Sequence, residues 1–183
     1  MKRYFLVMVF SMALGTAMSQ NILYNATKSE FSFYSKAPLE DIEAKNIRAA
    51  SIINTTNLEI VVRIPVSQFQ FSNKLMQQHF NENYMESEKY PYATFKGKIN
   101  EAIDPGKSGV YTVTANGILN IHGIDQNRKL TGKLVIGENS MQLETKFDVM
   151  LADHQIEIPR LVFKKIAEKI EVKASLNYSP LKK

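Results

Sequence analysis

Polar and apolar residues alternate along most of this chain. Leu58, Ile60, Val62 and Ile64 are interleaved with Glu59, Val61 and Arg63, the two-residue period of a strand with one dry face. The same period runs through Tyr111, Val113, Ala115, Gly117, Leu119 and Ile121, through Met141, Leu143, Thr145, Phe147, Val149 and Leu151, and through Ile170, Val172, Ala174 and Leu176. Shorter stretches at 31–34, 47–53, 94–99 and 129–136 bring the expectation to about eight strands. One dry face per strand fits antiparallel neighbours in a sandwich or a closed barrel. The long strand ending at Ile121, followed by His122-Gly123 and a return strand, favours an up-and-down antiparallel barrel. The small dry-face residues Ala115, Gly117, Thr145 and Ala174 leave room in its interior, against a packed structural module.

One region keeps a different period. From Asn73, Leu75, Met76, His79, Phe80 and Asn83 recur at helical spacing, with Ser72 or Asn73 as the cap, and Tyr90-Pro91 closes the region. This predicts a short helix inserted between strands, covering one end of the barrel. An outer-membrane barrel would show the same alternation turned inside out. The non-strand stretch 73–92 and the charged tail Lys182-Lys183 favour a soluble barrel.

The amino terminus belongs to no strand. Lys2-Arg3, the apolar run from Tyr4 to Phe10 and the small residues before Gln20 form a secretory signal pattern, too short to span a membrane. The expected organisation is a signal peptide at 1–19 and one domain at 20–183, periplasmic or secreted, with no stable membrane anchor. Removal of Lys2 and Arg3, two of 23 basic residues against 18 acidic ones, takes the net charge from +5 to +3. The remaining lysines are interspersed with Glu and Asp, which gives no footprint for a nucleic acid.

Composition narrows the chemistry. With no cysteine among 183 residues, disulfides, thiol catalysis and thiolate metal sites are excluded. There is no phosphate-binding loop and no nucleophile elbow. His79, His122 and His154 are the only histidines. A metal-dependent hydrolase or isomerase would need all three to converge in space. The blander reading puts His122 in a hairpin turn, His79 on the lid helix and His154 in a polar loop. No cofactor and no catalytic residue is expected.

Two runs carry a family resemblance. Phe71-Ser72-Asn73-Lys74-Leu75-Met76-Gln77-Gln78-His79-Phe80-Asn81 with Tyr90-Pro91-Tyr92-Ala93-Thr94-Phe95-Lys96-Gly97, and Gly117-Ile118-Leu119-Asn120-Ile121-His122-Gly123-Ile124, resemble the YceI-like family. The stretch Glu82-Asn83-Tyr84-Met85-Glu86-Ser87 resembles its Bacteroidetes-type members, while Ile124-Asp125-Gln126 departs from the Val-Thr-Lys or Val-Thr-Arg common after the His-Gly pair. The resemblance implies an all-β, lipocalin-like, eight-stranded barrel holding a polyisoprenoid or fatty-acid-like amphiphile. On that reading Phe33, Ile60, Val62, Tyr111, Val113, Ala115, Leu119, Leu143, Phe147 and Val172 line the lumen from the dry faces. Leu75, Met76 and Phe80 cover it from the helix, and His79 contacts a head group.

Overall fold

The computed structural model describes residues 23–36, 41–157 and 167–181. The expected signal peptide lies outside them. Ten strands form one antiparallel sheet: β1 (Leu23–Ser35), β2 (Ile42–Asn46), β3 (Ala50–Asn54), β4 (Glu59–Pro65), β5 (Gln70–Phe71), β6 (Tyr92–Ile99), β7 (Gly109–Ile121), β8 (Ile124–Gly137), β9 (Ser140–Met150) and β10 (Lys169–Pro180). β10 pairs with β1 from Tyr24↔Pro180 to Tyr34↔Glu171, which closes the sheet on itself. β2 and β3 flank successive halves of β1, and β4 and β5 flank β3 and β2 in turn. Ten strands therefore fill eight places around a closed, lipocalin-like barrel.

The two broken staves correct one expectation. In place of a single strand over 47–53, the chain leaves the sheet after Asn46 and re-enters at Ala50, and Ile47 is exposed. Asn46 is the reason. Fully buried, it donates from Nδ2 to Pro65 O at 2.8 Å and accepts at Oδ1 from Arg48 N at 2.8 Å. One side chain thus satisfies the backbone groups freed where both staves break.

The β7–β8 turn is as short as a hairpin allows. His122 (φ 53°) and Gly123 (φ 75°) both have positive φ, the backbone of a tight hairpin turn whose twist matches its strands. A side chain at Gly123 would sit 2.5 Å from the Tyr90 ring. Gly117 serves a different need from the expected one. A Cβ there would lie 2.4 Å from Lys96 O on β6, so this glycine permits strand approach, and it is not among the residues lining the lumen cavity.

β8 pairs with β7 from end to end, but with β9 only between Gly132↔Thr145 and Gly137↔Ser140. Further on, 124–131 and 146–150 have no ladder between them. After β9 the chain enters a 3-10 turn, Ala152–His154, which packs against the start of β8 through His154 and Ile124 O. Side chains bridge this seam: Arg128 Nη2 donates to Asp148 O, and Gln126 Nε2 to Asp153 O at 2.6 Å.

Candidate functional site: a capped apolar lumen

The inward faces divide the barrel into a floor, a chamber and a lid. At the floor, Tyr24, Ile53, Leu134, Ile136, Met141 and Tyr178 are buried against one another. Tyr178 is 1% exposed, and its hydroxyl donates to Ser51 Oγ at 2.7 Å, while Ser51 donates in turn to Val61 O at 2.9 Å. Tyr111 joins this end, with its hydroxyl donating to Lys107 O at 3.0 Å. It does not line the chamber, unlike the expectation for it.

Above the floor lies a cavity of about 450 Å³. Phe33, Ile60, Val62, Val113, Ala115, Leu119, Leu143, Phe147 and Val172, expected from the dry faces, all line it. So do Phe31, Phe69, Phe71, Phe95, Leu130, Val149 and Ile170, which are not among the expected lumen residues. Their signal was present: Phe31/Phe33 and Phe69/Phe71 are two-residue alternations too short to mark a lumen alone. Two polar side chains of the wall spend their hydroxyls on backbone groups. Thr145 Oγ1 donates to Thr131 O at 2.7 Å, and Ser35 Oγ, 1% exposed, accepts from Ala167 N at 3.0 Å. Among the described lining residues there is no Lys, Arg, Asp or Glu.

The lid follows from its sequence. Asn73 Oδ1 accepts from Leu75 N and Met76 N at 3.0 and 3.3 Å, as an N-cap should. It starts helix α1 (Lys74–His79), which widens into a π-helical turn at Phe80–Tyr84. The helical segment thus spans the apolar stripe, with its second half wound as π rather than α. Its last turn carries Phe80 into three other rings, at centroid distances of 5.0 Å (Phe71), 5.5 Å (Phe33) and 5.7 Å (Phe69). Met76, His79, Tyr84 and Met85 also face the cavity. Leu75 lines it while 59% exposed, so the chamber reaches the surface beside α1. Burial raises the pKa of Tyr84 and keeps its phenol neutral.

The histidines do separate jobs. His79 stands at the mouth, as expected for a lid residue. His122 orders more than its own turn: Nδ1 faces His154 O at 3.2 Å, Nε2 faces Glu86 Oε2 at 2.8 Å, and Tyr90 packs edge-on at 4.5 Å. This ties the end of the lid segment to the hairpin. His154 is not in a polar loop. The 3-10 turn tucks it in completely, with Nδ1 donating to Ile124 O at 3.2 Å and Nε2 without a partner among the described residues. No three His, Asp or Glu side chains come together as a metal site among the described residues. The convergence a three-histidine enzyme would need is absent from them.

Comparison with solved structures finds the same fold at low identity. A polyisoprenoid-binding domain from Saccharophagus degradans implicated in plant cell wall breakdown superposes with a TM-score of 0.73 at 16% identity, covering 86% of this chain and 98% of that one. BcnA of Burkholderia cenocepacia gives 0.66 at 16%, covering 81% and 95%. A YceI protein of Campylobacter jejuni gives 0.54 at 14%, covering both chains completely. No curated protein matches significantly. The model of the YceI-like domain matches residues 22–178, and the chain therefore belongs to the YceI-like family.

Proposed function

We propose that this protein is an exported carrier or scavenger that holds the apolar chain of a polyisoprenoid or other long amphiphilic lipid in its lumen. The observation that carries the reading is the chamber itself: about 450 Å³, closed below, apolar on its walls and reaching the surface beside the lid. That is within the usual range of ligand pockets, roughly 300–1,000 Å³. A chain burying about 300 Å² there gains roughly 7 kcal/mol from removal of apolar surface from water, before ordering costs. The polyisoprenoid-binding neighbour supports the ligand class, and the segment from Glu82 to Ser87 supports a Bacteroidetes-type member.

Nothing in this reading calls for catalysis, since the groups facing the ligand grip without donating charge or a nucleophile. Mass spectrometry of an organic extract of the purified protein tests it: a stoichiometric long-chain lipid is expected, and an empty protein that also refuses polyisoprenoid on reconstitution overturns it. Export rests on Lys2-Arg3 and the apolar run after them. Amino-terminal sequencing of the exported protein should begin near Gln20, whereas a membrane-bound product retaining Lys2 and Arg3 refutes this.

A further inference from the structure

The inward positions of the barrel hold one anomaly. Arg128 takes the inward phase of β8, in step with Leu130, Leu134 and Ile136. It is the one charged residue at an inward position on the described barrel strands. Its neighbour across β7 is Gly117, which presents no side chain to it. Arg128 sits where the β8–β9 ladder has ended; the residue is partly buried, and its guanidinium reaches across the seam to Asp148 O. Two residues along β8 is Leu130, which lines the cavity, and Phe147 and Val149 line it from β9. The seam therefore adjoins the chamber wall.

A guanidinium offers five N–H donors in a fork that fits carboxylate and phosphate oxygens. In this structure Arg128 uses one bond, to the main-chain oxygen of Asp148, and has no ion pair among the described residues. The Asp148 carboxylate is turned to Lys169 Nζ at 3.1 Å. Gln126, the next inward residue, lies in the same gap with its amide on Asp153 O. A hydrophobic strand position has thus been given to an underused cation, at a break in the wall of an apolar chamber.

We propose that Arg128 anchors the anionic end, a carboxylate or phosphate, of an amphiphile whose apolar chain lies in the lumen. The polar end then leaves the chamber through the β8–β9 seam, between Leu130 and Phe147, and not through the mouth beside α1. This rests on the lumen being a lipid site, and adds to it a preference for acidic lipids and an exit in the side wall. Charge-assisted hydrogen bonds from the guanidinium supply the preference.

Three probes of equal chain length test the anchor on the delipidated protein: dodecanoic acid, dodecyl phosphate and dodecan-1-ol, each displacing the neutral dye Nile red. The parent should bind at least one anion about tenfold or more tightly than the alcohol, and which anion binds better distinguishes carboxylate from phosphate. Arg128→Gln should cost that anion about tenfold in affinity and leave the alcohol within about twofold. Arg128→Lys should keep part of the preference, and Lys133→Gln, an exposed outward position on the same strand, should keep all of it. A residue that only sews the seam would affect all three probes alike. Should Arg128→Gln fail to fold, the parent still decides, because equal affinities for anions and alcohol overturn the anchor. An unchanged ratio in a folded Arg128→Gln also overturns it, with the lumen reading intact. Failure of every probe to displace the dye from the parent would remove the lumen reading and the anchor together.

Discussion

Ser51 and Tyr178 show how a hydroxyl pair is held in a dry floor. Ser51 has a single proton and gives it to Val61 O, so the phenol must donate to Ser51 Oγ. Removing the acceptor differs from removing the donor. Ser51→Ala strands the buried phenol and should cost about 1–3 kcal/mol, whereas Tyr178→Phe loses one bond and should cost about 1 kcal/mol. Urea unfolding of both variants checks the order, and equal costs would refute it. Burial raises the Tyr178 pKa well above 10.0, against a smaller lowering by Ser51. The folded state thus keeps a proton that the unfolded chain gives up, so stability is full below about pH 10 and falls as pH rises further. Tyr178→Phe should flatten that alkaline loss. His154 works with the opposite sign. Burial holds its pKa below 6.5, opposed by its hydrogen bond to Ile124 O. Its stabilisation is present above pH 6.5 and is lost as pH falls through the depressed value. His154→Gln, which can still donate to Ile124 O, should lose less melting temperature than the parent between about pH 7.5 and about pH 5.

At the scale of elements, Asn46 decides where two staves stop. Asn46→Ala leaves Pro65 O and Arg48 N without partners inside the protein and should cost about 2–4 kcal/mol in urea unfolding. Asn46→Asp keeps an acceptor for Arg48 but cannot donate to Pro65, and should also destabilise. A loss under about 0.5 kcal/mol for both would mean that the breaks are set by the surrounding strands. Such a break is invisible to alternation, because Ile47 continues the apolar run while pointing into solvent. The reverse happens on β8. Gln126 and Arg128 interrupt the dry phase, so the sequence places the strand start near residue 129, yet the β7 ladder carries it back to Ile124. Strand identity was legible wherever one face is wet and the other dry. Strand ends were not, since they depend on which neighbour supplies the hydrogen bonds.

At the scale of the molecule, the dry faces pointed to only part of the lumen wall, the part where a closed barrel leaves inward side chains nowhere else to go. They could not separate floor from chamber. Tyr111 and Leu143 have the same phase, yet one joins the floor and the other lines the cavity. That division depends on how large side chains from eight staves meet at one level, which no single strand records. Ala115 tests the division directly. It lines the chamber from β7, between Ile99 on β6 and Leu130 on β8, and both neighbours also line it. Ala115→Phe therefore projects a ring into empty space. Overpacking of a filled core costs about 1–3 kcal/mol or more, but here the ring meets void first, so the loss should sit at the low end, about 1 kcal/mol. The occupied volume should nevertheless exclude a long chain. Thermal unfolding and lipid extraction on the same preparations separate the outcomes: a folded variant that has lost its lipid is expected. A folded variant carrying the parent's lipid would place the ligand elsewhere, and a large loss of stability would show that this level of the barrel is packed.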